Sequence, residues 1–180
     1  MSYKVAVLGQ MRTGKDTVAE ILKEKELFIE LKFSDGISSI IRTYFPEAEQ
    51  FGKPRQHYQH IGQSLRQLDE DVWINRLDSK LKAMSSEHSF IVTDVRQENE
   101  VKYLKEQGFT LIKVIADDSV RIQRIEAEGD VFNPSMFEHE TEQGILEYDC
   151  DFLINNSGSF TELQEQVDSI WAEIAGGASE

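Results

Sequence analysis

Short apolar runs alternate with amphipathic stretches along this sequence. Tyr3–Leu8 is largely apolar and β-branched and stops at Gly9, a pattern that predicts a buried strand. Thr17–Lys25 then places its apolar residues at helical spacing. The first part of the chain is therefore predicted to be a strand, a glycine-containing loop and a helix.

The alternation continues through the rest of the chain. Further strands are predicted at Phe28–Phe33, Ser89–Thr93, Thr110–Ala116 and Phe152–Asn155. Helices are predicted from about 35 to 45, twice between 54 and 84, around Val101 and Leu104, at Ser119–Glu128 and around Leu163–Ile174. A loop rich in Gly, Asn and Pro is expected after Gly129, with no chemistry assigned to it.

Interleaved strands and helices with short connections indicate an α/β fold. We expect a mostly parallel sheet of about five strands with helices on both faces. The pattern shows no repeat or linker, so a single domain is predicted over residues 1–175. Residues 176–180 are small or acidic and are expected to form a loose tail, because they have nothing to bury.

Composition indicates a globular protein and argues against one class of partner. The chain has 180 residues, 39% of them hydrophobic and 29% charged, with a formal net charge of -14. Binding to duplex nucleic acid needs a basic face that neutralises phosphates, so no nucleic-acid partner is expected. A small phosphate ligand remains compatible, since backbone N–H groups, a few cations and a divalent metal can bind it.

The single cysteine and the lack of long apolar runs bear on location. Cys150 cannot form a disulfide within one chain, and no apolar run is long enough to span a bilayer. We therefore expect a cytoplasmic protein without a membrane partner. A homodimer is compatible with the sequence. His57 and His60 lie three residues apart without Cys or carboxylate partners at matching spacing, so they do not predict a zinc site.

The segment Gly9–Thr17, GQMRTGKDT, has the spacing of a phosphate-binding loop. A P-loop requires two glycines five positions apart, followed by Lys, between a strand and a helix, and Gly9, Gly14 and Lys15 meet this requirement. Glycines let backbone N–H groups turn toward phosphate oxygens, and the following helix presents its positive end. Lys15 is expected to reach the β- and γ-phosphates of a nucleotide.

Asp16 departs from the P-loop pattern. This position normally carries a Ser or Thr hydroxyl that binds Mg²⁺. The Asp16 carboxylate can bind the metal directly or through water. It can instead cap the helix while Thr17 supplies the hydroxyl.

The sequence resembles the phage-type deoxynucleoside monophosphate kinases, with dephospho-CoA kinase and phosphomevalonate kinase as more distant relatives. The resemblance rests on the loop GQMRTGKDT and on the order of further segments, none of which is diagnostic alone. These segments are KFSDG at Lys32–Gly36, IGQSLRQLDEDVWINRL at Ile61–Leu77, TDVRQENE at Thr93–Glu100 and DFLINNSG at Asp151–Gly158.

The resemblance implies an adenylate-kinase-like P-loop NTPase fold with a lid at about 117–145. It also implies ATP and Mg²⁺ as phosphate donor and a nucleoside monophosphate as acceptor. The residues then expected to bind ATP are Gly9, Arg12, Thr13, Gly14, Lys15, Asp16, Thr17 and Asn156. Arg12 could stack on adenine or touch phosphate, and Asn156 lies in a turn placed near adenine by resemblance.

Three residues follow predicted strands, where ligands bind in open α/β sheets. Asp35 can position the acceptor or take a proton from it, or it can cap the next helix. Asp94 is placed like the carboxylate that holds Mg²⁺ in P-loop enzymes, so Asp16, Thr17 and Asp94 are the candidate metal ligands. Arg96 suits bidentate capture of the acceptor phosphate.

The remaining candidates lie on predicted helices. Arg66 is expected to face the acceptor phosphate, and Arg42 is a weaker candidate. Glu100 matches the family segment, as Asn99 does, but it is equally compatible with a solvated helix start. The predicted acceptor residues are therefore Asp35, Arg66, Arg96 and Glu100.

Two arginines lie three positions apart on one predicted helix. Arg121 and Arg124 can close as a lid over the transferring phosphoryl group, or they can form a solvated basic face. With Lys15 and Asp35 they are the predicted catalytic residues.

These assignments predict transfer of the γ-phosphate of ATP to a deoxynucleoside monophosphate. A kinase of another phosphorylated metabolite, such as dephospho-CoA or phosphomevalonate, is the alternative within enzymes. A nucleotide-binding module without turnover is the alternative from another class, and Asp16 is its main support.

Overall fold

The computed structural model describes residues 2–50, 54–128, 137 and 140–177. The strands are β1 (Lys4–Gly9), β2 (Phe28–Leu31), β3 (Ser89–Val92), β4 (Thr110–Ile115) and β5 (Phe152–Asn155). The α-helices are α1 (Lys15–Lys25), α2 (Asp35–Tyr44), α3 (Arg55–Leu68), α4 (Val72–Ala83), α5 (Glu98–Glu106), α6 (Asp118–Ala127), α7 (Glu140–Glu147) and α8 (Phe160–Gly177), and Pro46–Glu49 is a short 3₁₀ helix.

The strands form one five-stranded sheet in the order β2-β3-β1-β4-β5. β1 lies at its centre and pairs in parallel with β3 on one side and β4 on the other, while β4 pairs in parallel with β5. A central parallel strand is covered on both faces, which explains why the consecutive residues 5–8 are all fully buried. The predicted α/β fold with a mostly parallel sheet is confirmed.

The chain divides into two compact units. Unit 1 comprises residues 1–30 and 86–180, and unit 2 comprises residues 31–85. Unit 2 holds α2, α3, α4 and the 3₁₀ helix. The extent of the kinase domain, 1–175, stays a prediction. Most of the central part of the expected lid, 129–136 and 138–139, lies outside the described residues.

The core of unit 1 includes α1 and α8, which pack against each other and against the sheet. Val18 and Leu22 of α1 join Leu163 and Val167 of α8 in one buried cluster. Trp171 closes the cluster with an edge-on contact to Tyr3, at 4.9 Å between ring centroids. Apolar side chains at helical spacing account for both helices.

β5 lies at an edge of the sheet, and one side chain of α8 occupies part of that edge. The Gln166 amide donates a hydrogen bond to the Asn155 carbonyl oxygen at 3.0 Å and accepts one from the Asn155 N–H at 3.0 Å. The neighbouring N–H of Asn156 donates instead to the Ile115 carbonyl oxygen of β4. Gln166 therefore pairs both backbone groups of Asn155 on the side away from β4.

The sequence prediction is wrong at α7. We expected a loop after Gly129, yet Glu140–Glu147 is helical. Ile145 is buried, and the ammonium of Lys113 on β4 donates a hydrogen bond to the Leu146 carbonyl oxygen at 2.8 Å. A cation on the last carbonyl groups of a helix stabilises it. The last described helix also includes Gly176 and Gly177, which were expected in the tail, and 178–180 lie outside the described residues.

In unit 2, a buried tryptophan holds the helices together. The Trp73 indole N–H donates to the Gly62 carbonyl oxygen of α3 at 3.2 Å. A Cβ atom added at Gly36 of α2 would lie 2.7 Å from the Trp73 ring, closer than atoms can approach without a shift. Trp73 of α4 therefore packs directly on the α2 backbone, and its role is structural.

This contact gives a stability prediction. Replacing Gly36 with Ala forces α2 and α4 apart, and we expect it to lower the free energy of unfolding by about 1–3 kcal/mol, as overpacking does. Urea denaturation measures the change. Gly176→Ala is the matched control, because its added Cβ meets nothing within 4 Å in α8, and it should leave stability equal or raise it by up to about 1 kcal/mol. Equal stability of the Gly36→Ala protein and the wild type would contradict the predicted contact.

Candidate active site

The P-loop has an unusual backbone between β1 and α1. Arg12 and Gly14 both adopt positive φ angles, 64° and 92°. A turn closes the loop, since the Thr13 hydroxyl donates to the Gln10 carbonyl oxygen at 2.9 Å. α1 then begins at Lys15, so the unsatisfied N–H groups of its first turn lie next to the loop. Such an arrangement favours anion binding.

Both predicted glycines are required by their surroundings. A Cβ at Gly9 would lie 2.5 Å from the Val114 carbonyl oxygen of β4 and 2.6 Å from the Thr13 hydroxyl oxygen. A Cβ at Gly14 would overlap the side-chain amide nitrogen of Asn156, and the positive φ of Gly14 also disfavours any other residue. The spacing of the motif therefore reflects close packing as well as phosphate binding.

Side chains from distant parts of unit 1 hold the carbonyl groups of the loop. The Asn156 amide donates to the Thr13 carbonyl oxygen at 2.8 Å and is buried. Arg124 of α6 donates through Nη1 to the carbonyl oxygens of Arg12 and Thr13, at 3.1 and 3.3 Å. Its Nη2 donates to the Asn156 carbonyl oxygen at 3.0 Å. These bonds tie the loop to α6 and to the turn after β5.

Arg121 makes a similar contact one turn earlier on α6. Its Nε donates to the Met11 carbonyl oxygen at 2.9 Å, and its Nη1 donates to the Gln10 side chain at 3.0 Å and to Asp118 at 2.9 Å. The guanidinium carbon lies 3.7 Å from the ring centroid of Phe137. Arg121 is only 1% exposed, so the alternative of a solvated basic face is wrong for this residue.

These contacts orient the peptide groups of the loop. In a planar trans peptide, the carbonyl of one residue and the N–H of the next point in opposite directions. Because the Met11 and Thr13 carbonyl groups point toward the arginines, the N–H groups of the following residues point away from them. Arg121 and Arg124 are thus positioning residues in this structure. Their predicted contact with the transferring phosphoryl group stays a prediction.

Three further ATP-site candidates lie at the loop and at the start of α1. The Lys15 side chain is 18% exposed, and its ammonium lies 3.9 Å from the Asp16 carboxylate, which is 83% exposed. Gly14 is the N-cap residue of α1, so Asp16 is not the cap and lies in the first turn. A carboxylate there interacts favourably with the helix dipole. Thr17 is exposed beside it.

The loop after β3 carries three of the other predicted residues. Asp94 is half-buried just past the end of β3. Because β3 pairs in parallel with β1, Asp94 and the P-loop both follow the carboxyl ends of neighbouring strands. Glu100 is 2% exposed, and its carboxylate accepts hydrogen bonds from the N–H groups of Arg96 and Gln97 at 2.8 and 3.1 Å. The solvated alternative for Glu100 is therefore wrong. Glu100 instead fixes the loop that carries the exposed Arg96.

Arg12 and the metal-ligand candidates complete unit 1. Arg12 forms an ion pair with Glu128 next to the end of α6, and its predicted contact with ATP stays a prediction. The oxygen atoms of Asp16, Thr17 and Asp94 fit the preference of Mg²⁺ for hard ligands. Within the part of the chain that the structure describes, no group of three or more His, Cys, Asp or Glu forms a metal site.

Unit 2 contains a polar cleft of about 350 Å³, here called the α2–α4 cleft. α2 contributes Asp35, Ser38, Ser39, Arg42 and Thr43, and α4 contributes Arg76 and Lys80. The Lys80 ammonium donates to the Asp35 carboxylate at 2.7 Å. Arg66 on α3 is not a lining residue. Arg76 and Lys80 were missed from the sequence, although they lie four positions apart on α4 at the border of its buried face.

A known family matches most of this chain. The sequence matches the family described as AAA domain over residues 5–143, which include the P-loop and the α2–α4 cleft. The chain belongs to this family. The predicted resemblance to deoxynucleoside monophosphate kinases is also confirmed, because the chain is 26% identical over 155 residues to a protein of Acanthamoeba polyphaga mimivirus named "Putative deoxynucleotide monophosphate kinase". The match covers 68% of this chain and 80% of the viral protein.

Solved structures show the same fold. The chain is similar to a gluconokinase from Sinorhizobium meliloti 1021, with a TM-score of 0.60 and 16% identity, over 99% of this chain and 98% of the other. It is also similar to a shikimate kinase from Acinetobacter baumannii, with a TM-score of 0.59 and 14% identity, over 100% of this chain and 97% of the other. Fold, family and P-loop together identify the protein as a P-loop kinase. No helix among the described residues is long and apolar enough to cross a membrane.

The contacts of Arg121 give a testable prediction. Arg121→Met removes the hydrogen bonds to Met11 and Gln10, so the loop loses orientation, and we expect the dissociation constant for ATP to rise about tenfold or more. Isothermal titration calorimetry measures it. Arg121→Lys keeps the charge, so the dissociation constant of this variant for ATP should lie between the values of the Arg121→Met protein and the wild type. Gln123→Met on an exposed position of α6 is the control. Unchanged ATP affinity together with lower stability would show that Arg121 serves folding only.

Proposed function

We propose that the protein transfers the γ-phosphate of ATP to a deoxynucleoside monophosphate and releases ADP and the diphosphate. The P-loop, with its carbonyl groups held by Arg124 and Asn156, supports binding of the donor. The observation that carries the choice of acceptor is the 155-residue match to the viral protein named for this activity. The same match supports a nucleotide as acceptor, rather than the gluconate or shikimate for which the two structural neighbours are named.

The chemistry is an in-line displacement. A phosphate oxygen of the acceptor forms a bond to the γ-phosphorus while the bond from that phosphorus to the β-γ bridging oxygen breaks, and ADP leaves with the bond's electron pair. A monophosphate is already anionic near neutral pH, so it needs little help from a general base. The protein therefore contributes mainly positioning and charge stabilisation.

The donor side is built from the P-loop. Lys15 neutralises charge on the β- and γ-phosphates, and backbone N–H groups of the loop and of α1 bind their oxygens. Mg²⁺ bound with ATP would add further charge neutralisation, held by Asp94 and by Asp16 or Thr17. Arg121 and Arg124 keep the loop in shape while the charge redistributes.

The acceptor side draws on the charge of unit 2. Residues 31–85 contain eight Lys and Arg against seven Asp and Glu, whereas the rest of the chain contains eleven against twenty-six. An anionic acceptor is therefore favoured on unit 2 relative to the rest of this acidic protein. Asp35, Arg66 and Arg96 are the proposed acceptor contacts. Glu100 contributes by holding the Arg96 loop.

An acceptor panel tests this function. Purified protein is incubated with ATP, Mg²⁺ and each nucleoside or deoxynucleoside monophosphate, with dephospho-CoA and phosphomevalonate as further acceptors, and ADP release is measured. We expect acceptor-dependent ADP with at least one deoxynucleoside monophosphate. Turnover with only dephospho-CoA or phosphomevalonate would show that this metabolite, and not a nucleoside monophosphate, is the acceptor. Tight ATP binding without turnover in the whole panel would instead indicate a nucleotide-binding module.

Lys15→Ala tests the donor site. We expect turnover to fall roughly 100-fold or more, since a cation at the transferring phosphates stabilises the transition state. Thermal stability should change little, because the Lys15 side chain is partly exposed and its ammonium lies near the exposed Asp16 carboxylate rather than in the core. Lys25→Ala at the other end of α1 is the control. Unchanged turnover in Lys15→Ala would remove this residue from its proposed role.

Asp16 allows a separate test of the metal site. Asp16→Ser restores the hydroxyl that P-loops usually carry, and we expect turnover within about threefold of the wild type if an oxygen ligand is sufficient. Asp16→Ala should need more Mg²⁺ for half-maximal turnover. Complete loss of activity in Asp16→Ser would show that the carboxylate itself is required.

A further inference from the structure

We propose that the α2–α4 cleft binds the phosphate group of the acceptor, with Arg76 and Lys80 as phosphate-binding residues. This inference rests on the proposed function, because it takes the acceptor to be a phosphomonoester. It adds two residues of α4 to the acceptor site: Arg76, which lies in the Ile61–Leu77 segment but has no role assigned from the sequence, and Lys80, which lies outside the segments that carry the resemblance.

The cleft is formed by two helix faces that the packing brings together. The α2 residues that line it recur at intervals of three and four, from Asp35 to Thr43, so they share one face of the helix. Arg76 and Lys80 lie one turn apart on α4. The close approach of Gly36 to α4 sets the spacing, since a Cβ at Gly36 would lie 3.4 Å from Cγ of Arg76. Both α4 cations are thereby held beside α2.

The charges in the cleft match a phosphomonoester. Arg76 and Lys80 of α4 lie with the single carboxylate of Asp35 in the lining of the cleft, and Arg42 is a third cationic lining residue. A phosphomonoester carries up to two negative charges near neutral pH. Serine and threonine hydroxyls along α2 supply further hydrogen-bond donors. The cleft volume of about 350 Å³ is within the range of small-molecule sites.

The ion pair between Lys80 and Asp35 fits phosphate binding. A lysine ammonium has three N–H donors, and the bond to Asp35 at 2.7 Å uses one of them. The side chains of Lys80 and Asp35 are 35% and 32% exposed, so a ligand can reach them. Asp35 therefore orients the ammonium, and the remaining donors can bind phosphate oxygens. This arrangement also links Asp35 to the acceptor through Lys80.

Substitutions on α4 test the proposal in the active enzyme. Arg76→Gln and Lys80→Gln each remove one charge, and we expect each to raise KM for the acceptor monophosphate about tenfold or more, as loss of a charged hydrogen bond does. KM for ATP should stay within about twofold, since donor binding uses the P-loop. Lys82→Gln is the matched control: it lies on the same helix, is 73% exposed and pairs with Asp78. Unchanged acceptor KM in both variants would overturn the proposal.

Direct binding separates this proposal from the proposed function. The Lys15→Ala protein is used without ATP, because this substitution weakens phosphate binding at the P-loop. Calorimetry then measures its affinity for a deoxynucleoside monophosphate, for the corresponding deoxynucleoside and for inorganic phosphate. We expect the monophosphate to bind about tenfold or more tightly than the deoxynucleoside, and a further Arg76→Gln substitution to remove that difference.

The two possible failures give different results. If no nucleoside monophosphate yields ADP in the panel, the proposed function fails. The titration with inorganic phosphate then still tests whether the α2–α4 cleft binds phosphate. Phosphate binding that is lost in Arg76→Gln and Lys80→Gln but kept in Lys82→Gln supports the cleft as a phosphate site. Absent phosphate binding, or binding that both α4 variants retain, overturns it.

Discussion

The structure depends on how the carbonyl groups of the P-loop are satisfied. A loop that turns N–H groups toward a phosphate must turn carbonyl groups the other way, and buried carbonyl groups need donors. Arg121, Arg124 and Asn156 supply those donors from α6 and from the turn after β5. These elements are more than 100 residues away in sequence. They reach the loop because β4 pairs in parallel with β1, and β5 pairs in parallel with β4.

The phosphate-binding loop is therefore a product of the whole of unit 1. Gly9 packs against the Val114 carbonyl of β4, and Gly14 leaves the space that the Asn156 amide occupies. A nine-residue segment with the same sequence but without β4, β5 and α6 would lack most of the contacts that orient it. Unit 2 contributes a different property, since its balanced charge contrasts with the strong negative charge of the remaining chain.

The sequence predicted the sheet and most helices because their apolar residues follow clear periods. It predicted Gly9, Gly14 and Lys15 because a P-loop has a fixed spacing. Periodicity does not show which polar residues are buried, so Arg121 and Glu100 could not be recognised as buried contacts of loops. α7 was missed because much of its stabilisation comes from tertiary contacts at Ile145 and Leu146. Arg76 and Lys80 can be recognised as candidate binding residues only when α4 is placed beside α2.

The pairing of Gln166 with Asn155 has a consequence for the protein in a crowded solution. An edge strand with open N–H and C=O groups can recruit a strand from another molecule, which is how many sheet proteins aggregate. In β5, the outward backbone groups of Asn155 already bond to a side-chain amide that imitates a neighbouring peptide. A foreign strand would have to displace Gln166 before it could extend the sheet at this residue. Gln166 of α8 thus occupies the backbone groups through which another strand would bond at Asn155.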